Sequence, residues 1–115
     1  MKYVLLLNTP EAEMMKLNEA QMREKIAAYM AYTEALRKAN ALVDSARLQP
    51  VATATTIRVK NGKTQVLNGP YAEAKEQLGG YFLIEAPDLD AAIAWAARCP
   101  GASDGAVEVR PIWQM

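Results

Sequence analysis

The sequence of 115 residues contains no histidine and only one cysteine, Cys99. Without histidine, the chain cannot form a Ser-His or Cys-His relay or a histidine-ligated metal site. A single cysteine excludes an internal disulfide, and with it a small secreted scaffold held together by disulfides. We expect Cys99 to be a small hydrophobic residue near a helix end. No group of carboxylates has convincing metal-ligand spacing, so we predict no metal and no cofactor.

Long runs of one residue class are also missing. The 13 basic residues balance the 13 acidic ones, and no basic run is present. The sequence therefore lacks the electrostatic footprint of a protein that binds nucleic acid directly. The apolar run "YVLLL" near the start is too short for a membrane span or a signal sequence. We expect a cytoplasmic protein with no direct contact to nucleic acid or membrane.

The composition that remains is that of an ordinary globular domain. Hydrophobic residues make up 51% and charged residues 23% of the chain. A chain of this length buries roughly two-thirds of its unfolded surface, which is enough for a core. We predict one domain over residues 1–115.

A long helix is predicted to begin after Asn18, because Asn18 and Gln21 have the spacing of a capping box. Asn40 is suited to the left-handed position that follows the helix. Residues at helical spacing predict one buried face: Met22, Ile26, Tyr29, Thr33 and Leu36. Four methionines, Met14, Met15, Met22 and Met30, are interpreted as core or gap-filling residues.

Strands are predicted at 4–7, 42–48, 53–60, 63–67, 81–86 and 106–112 from apolar or alternating runs. Asn61-Gly62 predicts a tight hairpin that pairs Val59 with Thr64, Ile57 with Val66 and Arg58 with Gln65. A second helix is predicted to begin at Asp88 and to bury a stripe of small and aliphatic residues, namely Leu89, Ala92, Ile93 and Ala96.

The segment "NGPYAEAKEQLGG" at 68–80 is the most distinctive part of the chain. It predicts a turn, a short helical turn over 72–77 and a chain reversal at Gly79-Gly80. In one interpretation Glu73 or Glu76 acts as an acid or base while Lys75 or Arg110 holds an anionic substrate. In the other, these charges only cap and pair in solvent around a corner.

The order strand, helix, strand, hairpin, strand, helix, strand predicts an α+β fold of the ferredoxin-like β-α-β-(β-β)-β-α-β type. Two helices would cover one face of a mostly antiparallel sheet, and a second copy of the chain would cover the other. The homodimer would enclose a cleft between two sheets. Arg58, Glu85, Glu108 and Arg110 are candidates for its rim or lining.

The stretch "NGPYAEAKEQLGGYFLIEA" resembles the signature of the DGPF branch of the YCII-related proteins, an uncharacterised bacterial family. The segments "LQPVATATTIRV", "DLDAAIAWAARCPGA" and "VEVRPI" are similar to the same family, so the resemblance covers nearly the whole chain. It implies a ferredoxin-like α+β domain that dimerises into a shared barrel.

The resemblance also implies two functions. Related YCII proteins carry a His and an Asp thought to be enzymatic, and some DGPF domains are associated with sigma-factor-like proteins. This chain has no histidine, and it has Asn68 and Tyr71 where the motif has Asp and Phe. The His-Asp pair therefore does not transfer. We predict Glu73 as the catalytic residue, with Asn68, Tyr71, Lys75 and Arg110 binding the substrate.

Three hypotheses follow. The first is a small-molecule site, either binding or enzymatic, in a cleft of a dimeric α+β barrel. The second is a regulatory module that contacts a sigma-factor-type protein in transcription initiation. The third is a dimeric scaffold with a vestigial site.

Overall fold

The computed structural model describes residues 1–70 and 74–114. Six strands are present in this part of the chain: β1 (Lys2–Thr9), β2 (Leu42–Arg47), β3 (Thr55–Lys60), β4 (Lys63–Asn68), β5 (Gln77–Glu85) and β6 (Ala106–Pro111). Two longer helices are α2 (Glu19–Lys38) and α3 (Leu89–Arg98), and two single-turn helices are α1 (Glu11–Met14) and α4 (Gly101–Asp104). A 3-10 turn, Val51–Thr53, precedes β3.

Four of the strands form an antiparallel sheet in the order β2-β5-β1-β6, and β3 and β4 form a separate two-stranded hairpin. The fold is thus a mixed α+β fold in which both long helices connect strands of the same sheet. The six predicted strands and the two predicted long helices are present, with boundaries shifted by a few residues. The connection after β1 holds the short helix α1.

The burial of the two central strands alternates along the chain, and this alternation shows that the sheet has one covered face. Tyr3, Leu5 and Leu7 of β1 are buried, and their neighbours Val4 and Leu6 are only half-buried. Because successive strand residues point to opposite faces, the buried set packs against the helices. The other face, which carries Val4 and Leu6, has no helix over it in the described part of the chain. We call it the open sheet face.

The two helices are fixed by caps that the sequence predicted. The Asn18 side chain accepts a hydrogen bond of 2.8 Å from the Gln21 N–H, and the Gln21 side chain accepts one of 3.0 Å from the Asn18 N–H. Asp88 accepts a hydrogen bond of 2.8 Å from the Ala91 N–H at the start of α3. Asn40 follows α2 with a φ of +57°. The side chains of Asn18 and Asp88 thus accept hydrogen bonds from main-chain N–H groups that a helix start leaves unpaired.

The predicted buried stripe of α2 is only partly correct. Leu36 is fully buried as predicted, but Ile26 is 44% exposed and the side chain that fills the core is Tyr32. The prediction was wrong because Ile26 belongs to a part of α2 that stands away from the sheet. The methionine interpretation is wrong for Met15 and Met30, which are 80% and 68% exposed.

In α3, small residues form the contact with the sheet. Ala92 and Ala96 are buried, and the larger residues of the predicted stripe, Leu89 and Ile93, are each 49% exposed. Cys99 is buried directly after the helix, and burial raises the pKa of its thiol. This agrees with the prediction that Cys99 serves as a small hydrophobic residue.

The β3–β4 hairpin, which we call the arm, projects from the body of the molecule. Its pairing was predicted correctly, with Ile57 opposite Val66 and Val59 opposite Thr64 across an Asn61-Gly62 turn. The radius of gyration is 16.0 Å, whereas a compact chain of this length has about 13 Å. One face of the arm exposes aliphatic side chains, since Ile57, Val59 and Val66 are 54%, 68% and 61% exposed.

The structure of the segment around the start of β5 differs from the predicted turn and chain reversal. β5 begins at Gln77, so Gly79 and Gly80 lie inside the strand and do not reverse the chain. A Cβ on Gly80 would lie 2.6 Å from the carbonyl oxygen of Ala46, so glycine is needed for β2 to pair here. Residues 74–77 of the predicted helical turn contain no helix, and residues 71–73 lie outside the described residues.

Candidate functional site

A groove of about 970 Å³ lies between α2 and the edge of the sheet at β2. It lies on the helix-covered side, where Ile26 and its neighbours stand away from the strands. Its apolar wall is formed mainly by side chains of α1, α2 and the segment after β2: Met14, Met15, Met22, Ile26, Met30, Leu48 and Pro50. Methionine side chains are flexible and polarisable, so such a wall adapts to apolar ligands of different shapes.

The strand β2 contributes the polar wall of the groove. Ser45 pairs with Phe82 and Arg47 pairs with Gly80, and both partners point to the helix side of the sheet. Because paired residues of antiparallel strands share a face, Ser45 and Arg47 extend toward α2. The tight approach at Gly80 brings the main chain of Arg47 close to β5. Both residues line the groove.

Tyr29 faces this wall from α2. A Cβ on Gly101 would lie 2.8 Å from the Tyr29 hydroxyl oxygen, so the ring lies against the start of α4. Burial, together with Cys99 and Asp104, raises the pKa of Tyr29 to about 12, while the charge of Arg47 acts in the opposite direction. The hydroxyl therefore stays protonated near neutral pH and is available as a hydrogen-bond donor.

The other charged residues of the groove have partners within the chain. Lys25 Nζ lies 2.5 Å from Asp104 Oδ2, and Arg37 Nη1 lies 2.6 Å from Glu34 Oε2. Arg47, in contrast, forms no ion pair within residues 1–70 and 74–114. Among the described residues that line the groove, Arg47 is thus a cation that no carboxylate pairs with.

Glu11 stands at one end of the groove and is held by the main chain. Its Oε1 accepts a hydrogen bond of 2.9 Å from the Val51 N–H. The Glu11 N–H donates a hydrogen bond of 2.9 Å to Gln77 Oε1, and Gln77 Nε2 donates one of 2.5 Å to the Ala74 carbonyl. The segment that follows the predicted catalytic residue Glu73 is therefore connected to the groove through Gln77 and Glu11.

The residues predicted from the sequence as a site do not all come together. Tyr71 and Glu73 lie outside the described residues. Asn68 ends β4 and is exposed, and Lys75 is exposed before β5. Arg110 pairs with Val4, whereas the start of β5 pairs with Thr9.

Val4 and Thr9 are five residues apart along β1, which corresponds to about 17 Å. Arg110 is therefore far along the sheet from Lys75 within one chain. Its nearest charged partner is Glu108, with 3.6 Å between Arg110 Nε and Glu108 Oε2, and both side chains are more than half exposed. Neither of these residues, nor Asn68 or Lys75, lines the groove.

Sequence reasoning missed the residues that do line the groove. Arg47 was read only as part of a strand, and Tyr29 only as part of a buried stripe. A signal was available, because Arg47 shares its strand face with Ser45, which leaves two polar residues on one face next to a helix. Periodicity gives the face of each element, but it does not give the distance between elements.

Two comparisons with known proteins assign the chain to a family. The YCII-related domain matches residues 1–115, which is the whole sequence. An uncharacterised protein of Rhizobium meliloti (strain 1021) is 41% identical over 97 residues, which cover 83% of this chain and 75% of that protein. Neither finding supports the sigma-factor alternative.

A comparison of structures agrees on the fold. The solved structure of 5-chloro-2-hydroxyhydroquinone dehydrochlorinase from Burkholderia phenoliruptrix AC1100, in complex with 2,5-dihydroxybenzoquinone, is similar with a TM-score of 0.55 and 16% identity. The match covers 99% of this chain and 94% of that chain. At this identity the similarity extends to the fold and not to the activity. No helix in the described ranges has the length and apolar character needed to cross a membrane.

Proposed function

Because this chain belongs to the YCII-related domain family, we propose that it binds a small organic molecule in the groove between α2 and β2, either as a binding protein or as an enzyme. The single observation that carries the proposal is the groove itself, with its methionine-rich wall opposite Ser45 and Arg47. A concave apolar site with a few convergent polar groups is the usual form of a small-molecule site. Its volume of about 970 Å³ suits a ligand of metabolite size.

The groove also offers chemistry. Arg47 and the protonated Tyr29 hydroxyl are donors that would stabilise negative charge on a ligand oxygen. Glu11, held by Val51 and by Gln77, is a positioned carboxylate at the other end of the groove. The structural relative is described as a dehydrochlorinase in complex with a quinone. That description agrees with a small-molecule role, and the residues for this chain are argued from its own groove.

We further propose that Glu73 is an acid or base and that Asn68, Tyr71, Lys75 and Arg110 contribute to binding. The support is that Ala74, which follows Glu73 in the sequence, is connected through Gln77 to Glu11 at the end of the groove. Arg110 is distant along the same chain, so its contribution would have to come from the partner in a dimer. In an enzyme, Glu73→Gln should lower turnover and leave ligand binding unchanged.

The proposed assembly is a homodimer in which two sheets pack through their open faces to form a dimeric α+β barrel. The strand order β2-β5-β1-β6 is the order expected of a ferredoxin-like domain. The molecule is only 18 Å thick along its shortest axis, which corresponds to a single helix layer on a single sheet. Val4, Leu6 and Leu83 on the open face would gain burial from a second copy.

The groove is tested by screening a small library of aromatic and aliphatic compounds against protein labelled with ¹³C at its methionine methyl groups. Met14, Met15, Met22 and Met30 line the groove. Met1 is paired with Glu85 away from the groove and serves as the internal control. A specific ligand should shift the groove signals and leave Met1 unchanged. The substitution Ile26→Trp, at a side chain that is 44% exposed, should block the groove and abolish the shifts.

The proposal is wrong if compounds bind but shift only signals outside the groove, or if Ile26→Trp leaves binding unchanged. Circular dichroism of the Ile26→Trp protein confirms that it is folded. A library in which no compound shifts any groove methionine would also argue against the proposal.

A further inference from the structure

The charge balance of the groove identifies the class of ligand. Four of the polar residues that line it carry hydrogen-bond donors, namely Lys25, Tyr29, Ser45 and Arg47. The Lys25 ammonium is held by Asp104, but Arg47 has no ion-pair partner in the part of the chain that the structure describes. The carboxylates of the groove are also engaged: Glu34 with Arg37, and Glu11 with the Val51 N–H.

Arg47 is exposed at the wall of the groove, so its guanidinium is accessible to an anionic ligand. A guanidinium presents donors in a planar fork that matches a carboxylate. Tyr29 lines the same groove, and its hydroxyl, which stays protonated near neutral pH, is a second donor for a ligand oxygen. The rest of the groove is apolar and adaptable, so the remainder of the ligand should be apolar as well.

We propose that the ligand of this groove is a small organic acid, with an aromatic or aliphatic body against the methionine wall and one carboxylate bound by Arg47. This inference depends on the proposed function, because it names the ligand class of the same site. The carboxylate lies toward β2, between Arg47 and Tyr29. The apolar body extends toward Met22 and Ile26 on α2.

The test compares two probes with the same ring system, 2-naphthoate and 2-naphthamide, at neutral pH and low salt. Affinities are obtained by titrating the shifts of the groove methionine methyl signals. We expect naphthoate to bind about tenfold more tightly than naphthamide, since a charge-assisted hydrogen bond favours only the acid. Added salt should weaken the binding of naphthoate and leave that of naphthamide unchanged.

Three variants connect this preference to one side chain. Arg47→Gln should remove the preference for naphthoate while keeping the affinity for naphthamide. Arg47→Lys, which keeps the charge but not the planar fork, should keep part of it. Arg23→Gln is the matched control, because Arg23 is an exposed arginine of α2 and does not line the groove.

The inference would be overturned if both probes bind in the groove with equal affinity and Arg47→Gln changes neither affinity. The groove would then be a site for neutral ligands. A preference for naphthoate that persists in Arg47→Gln but is lost in Arg23→Gln would also overturn the inference. If neither probe shifts a groove methyl signal, the organic-acid inference is wrong, and the library screen decides separately whether the groove binds small molecules.

Discussion

The hydroxyl of Tyr32 donates a hydrogen bond of 2.7 Å to the main-chain carbonyl of Trp95, and this bond joins the two long helices inside the core. Tyr32 is 5% exposed, and its ring meets those of Phe82 and Trp95 edge to face, with centroid distances of 5.2 and 6.2 Å. The carbonyl of Trp95 lies in the last turn of α3, where carbonyls lack helical partners. Tyr32 therefore also supplies a hydrogen-bond donor to a carbonyl at the C-terminal end of α3.

We expect Tyr32→Phe to lower the free energy of unfolding by about 1–2 kcal/mol, because a buried carbonyl loses its donor while the ring packing is kept. Urea unfolding measures the change. Tyr81→Phe is the matched control, since the Tyr81 hydroxyl is bonded to Asp44 at 2.8 Å on the open sheet face. In the isolated chain, that substitution should cost less than about 1 kcal/mol. If both substitutions lowered the free energy of unfolding equally, the buried hydrogen bond of Tyr32 would not be the more stabilising of the two.

Gly80 is required by the close approach of β2 to β5. A Cβ at this position would lie 2.6 Å from the Ala46 carbonyl oxygen, which is fixed in the sheet. We expect Gly80→Ala to lower the free energy of unfolding by about 1–3 kcal/mol through forced displacement of the strand. It should also disturb the groove, because Arg47 is the residue that pairs with Gly80.

The neighbouring glycine provides the control for this prediction. A Cβ on Gly79 would lie 3.1 Å from Thr9 Oγ1, a side-chain atom that can rotate away. Gly79→Ala should therefore cost less than about 1 kcal/mol. Both variants are compared with the unmodified chain by urea unfolding. If Gly80→Ala lowered the free energy of unfolding less than Gly79→Ala, the close approach of β2 to β5 would not require glycine at position 80.

The sequence predicted those parts of the fold that depend on local chemistry. The Asn18 cap, the Asn61-Gly62 turn and the Ile57–Val66 pairing were correct because each involves residues close in the chain. The sequence interpretation assigned the double glycine to a chain reversal, and this was wrong. Glycine is needed at position 80 because the carbonyl of Ala46 lies against it, and Ala46 is distant in sequence.

The candidate site was harder to predict, for a related reason. A groove is a gap between elements, and its existence depends on how far α2 stands from β2. Hydrophobic periodicity placed Ile26 in the core, although this part of α2 leaves the sheet. The role proposed for Arg47 depends on its place in the groove and on the lack of an ion-pair partner among the described residues, and neither can be read from sequence spacing.

The open sheet face is expected to be the dimer interface. We predict that Leu6→Glu weakens the homodimer by about 100-fold or more, because two unpaired carboxylates would be enclosed between the sheets. Sedimentation velocity over a range of concentrations measures the change. Ile93→Glu is the control: Ile93 is 49% exposed on α3, and its substitution should leave the dimer intact. A Leu6→Glu protein that remains dimeric would exclude the open face as the interface.

Stability should fall in alkaline solution because the core contains tyrosines that resist ionisation. Burial raises the pKa of Tyr29 from 10.0 to about 12, and burial also raises the pKa of Tyr32. The folded state therefore holds these protons more tightly than the unfolded state does. The stabilisation is complete below pH 10 and is lost as the pH rises toward 12.

Urea unfolding of the unmodified chain and of Tyr29→Phe, at pH 9 and at pH 11.5, separates this effect from general alkaline damage. Tyr29→Phe removes one of the raised groups, so its free energy of unfolding should change less between the two pH values. Tyr81 provides the contrast, because a hydrogen bond to Asp44 is the main cause of its raised pKa. Tyr81→Phe should leave most of the alkaline loss in place, since the buried pair remains. If Tyr29→Phe and the unmodified chain lose stability equally, Tyr29 ionises in the folded state as readily as in the unfolded chain.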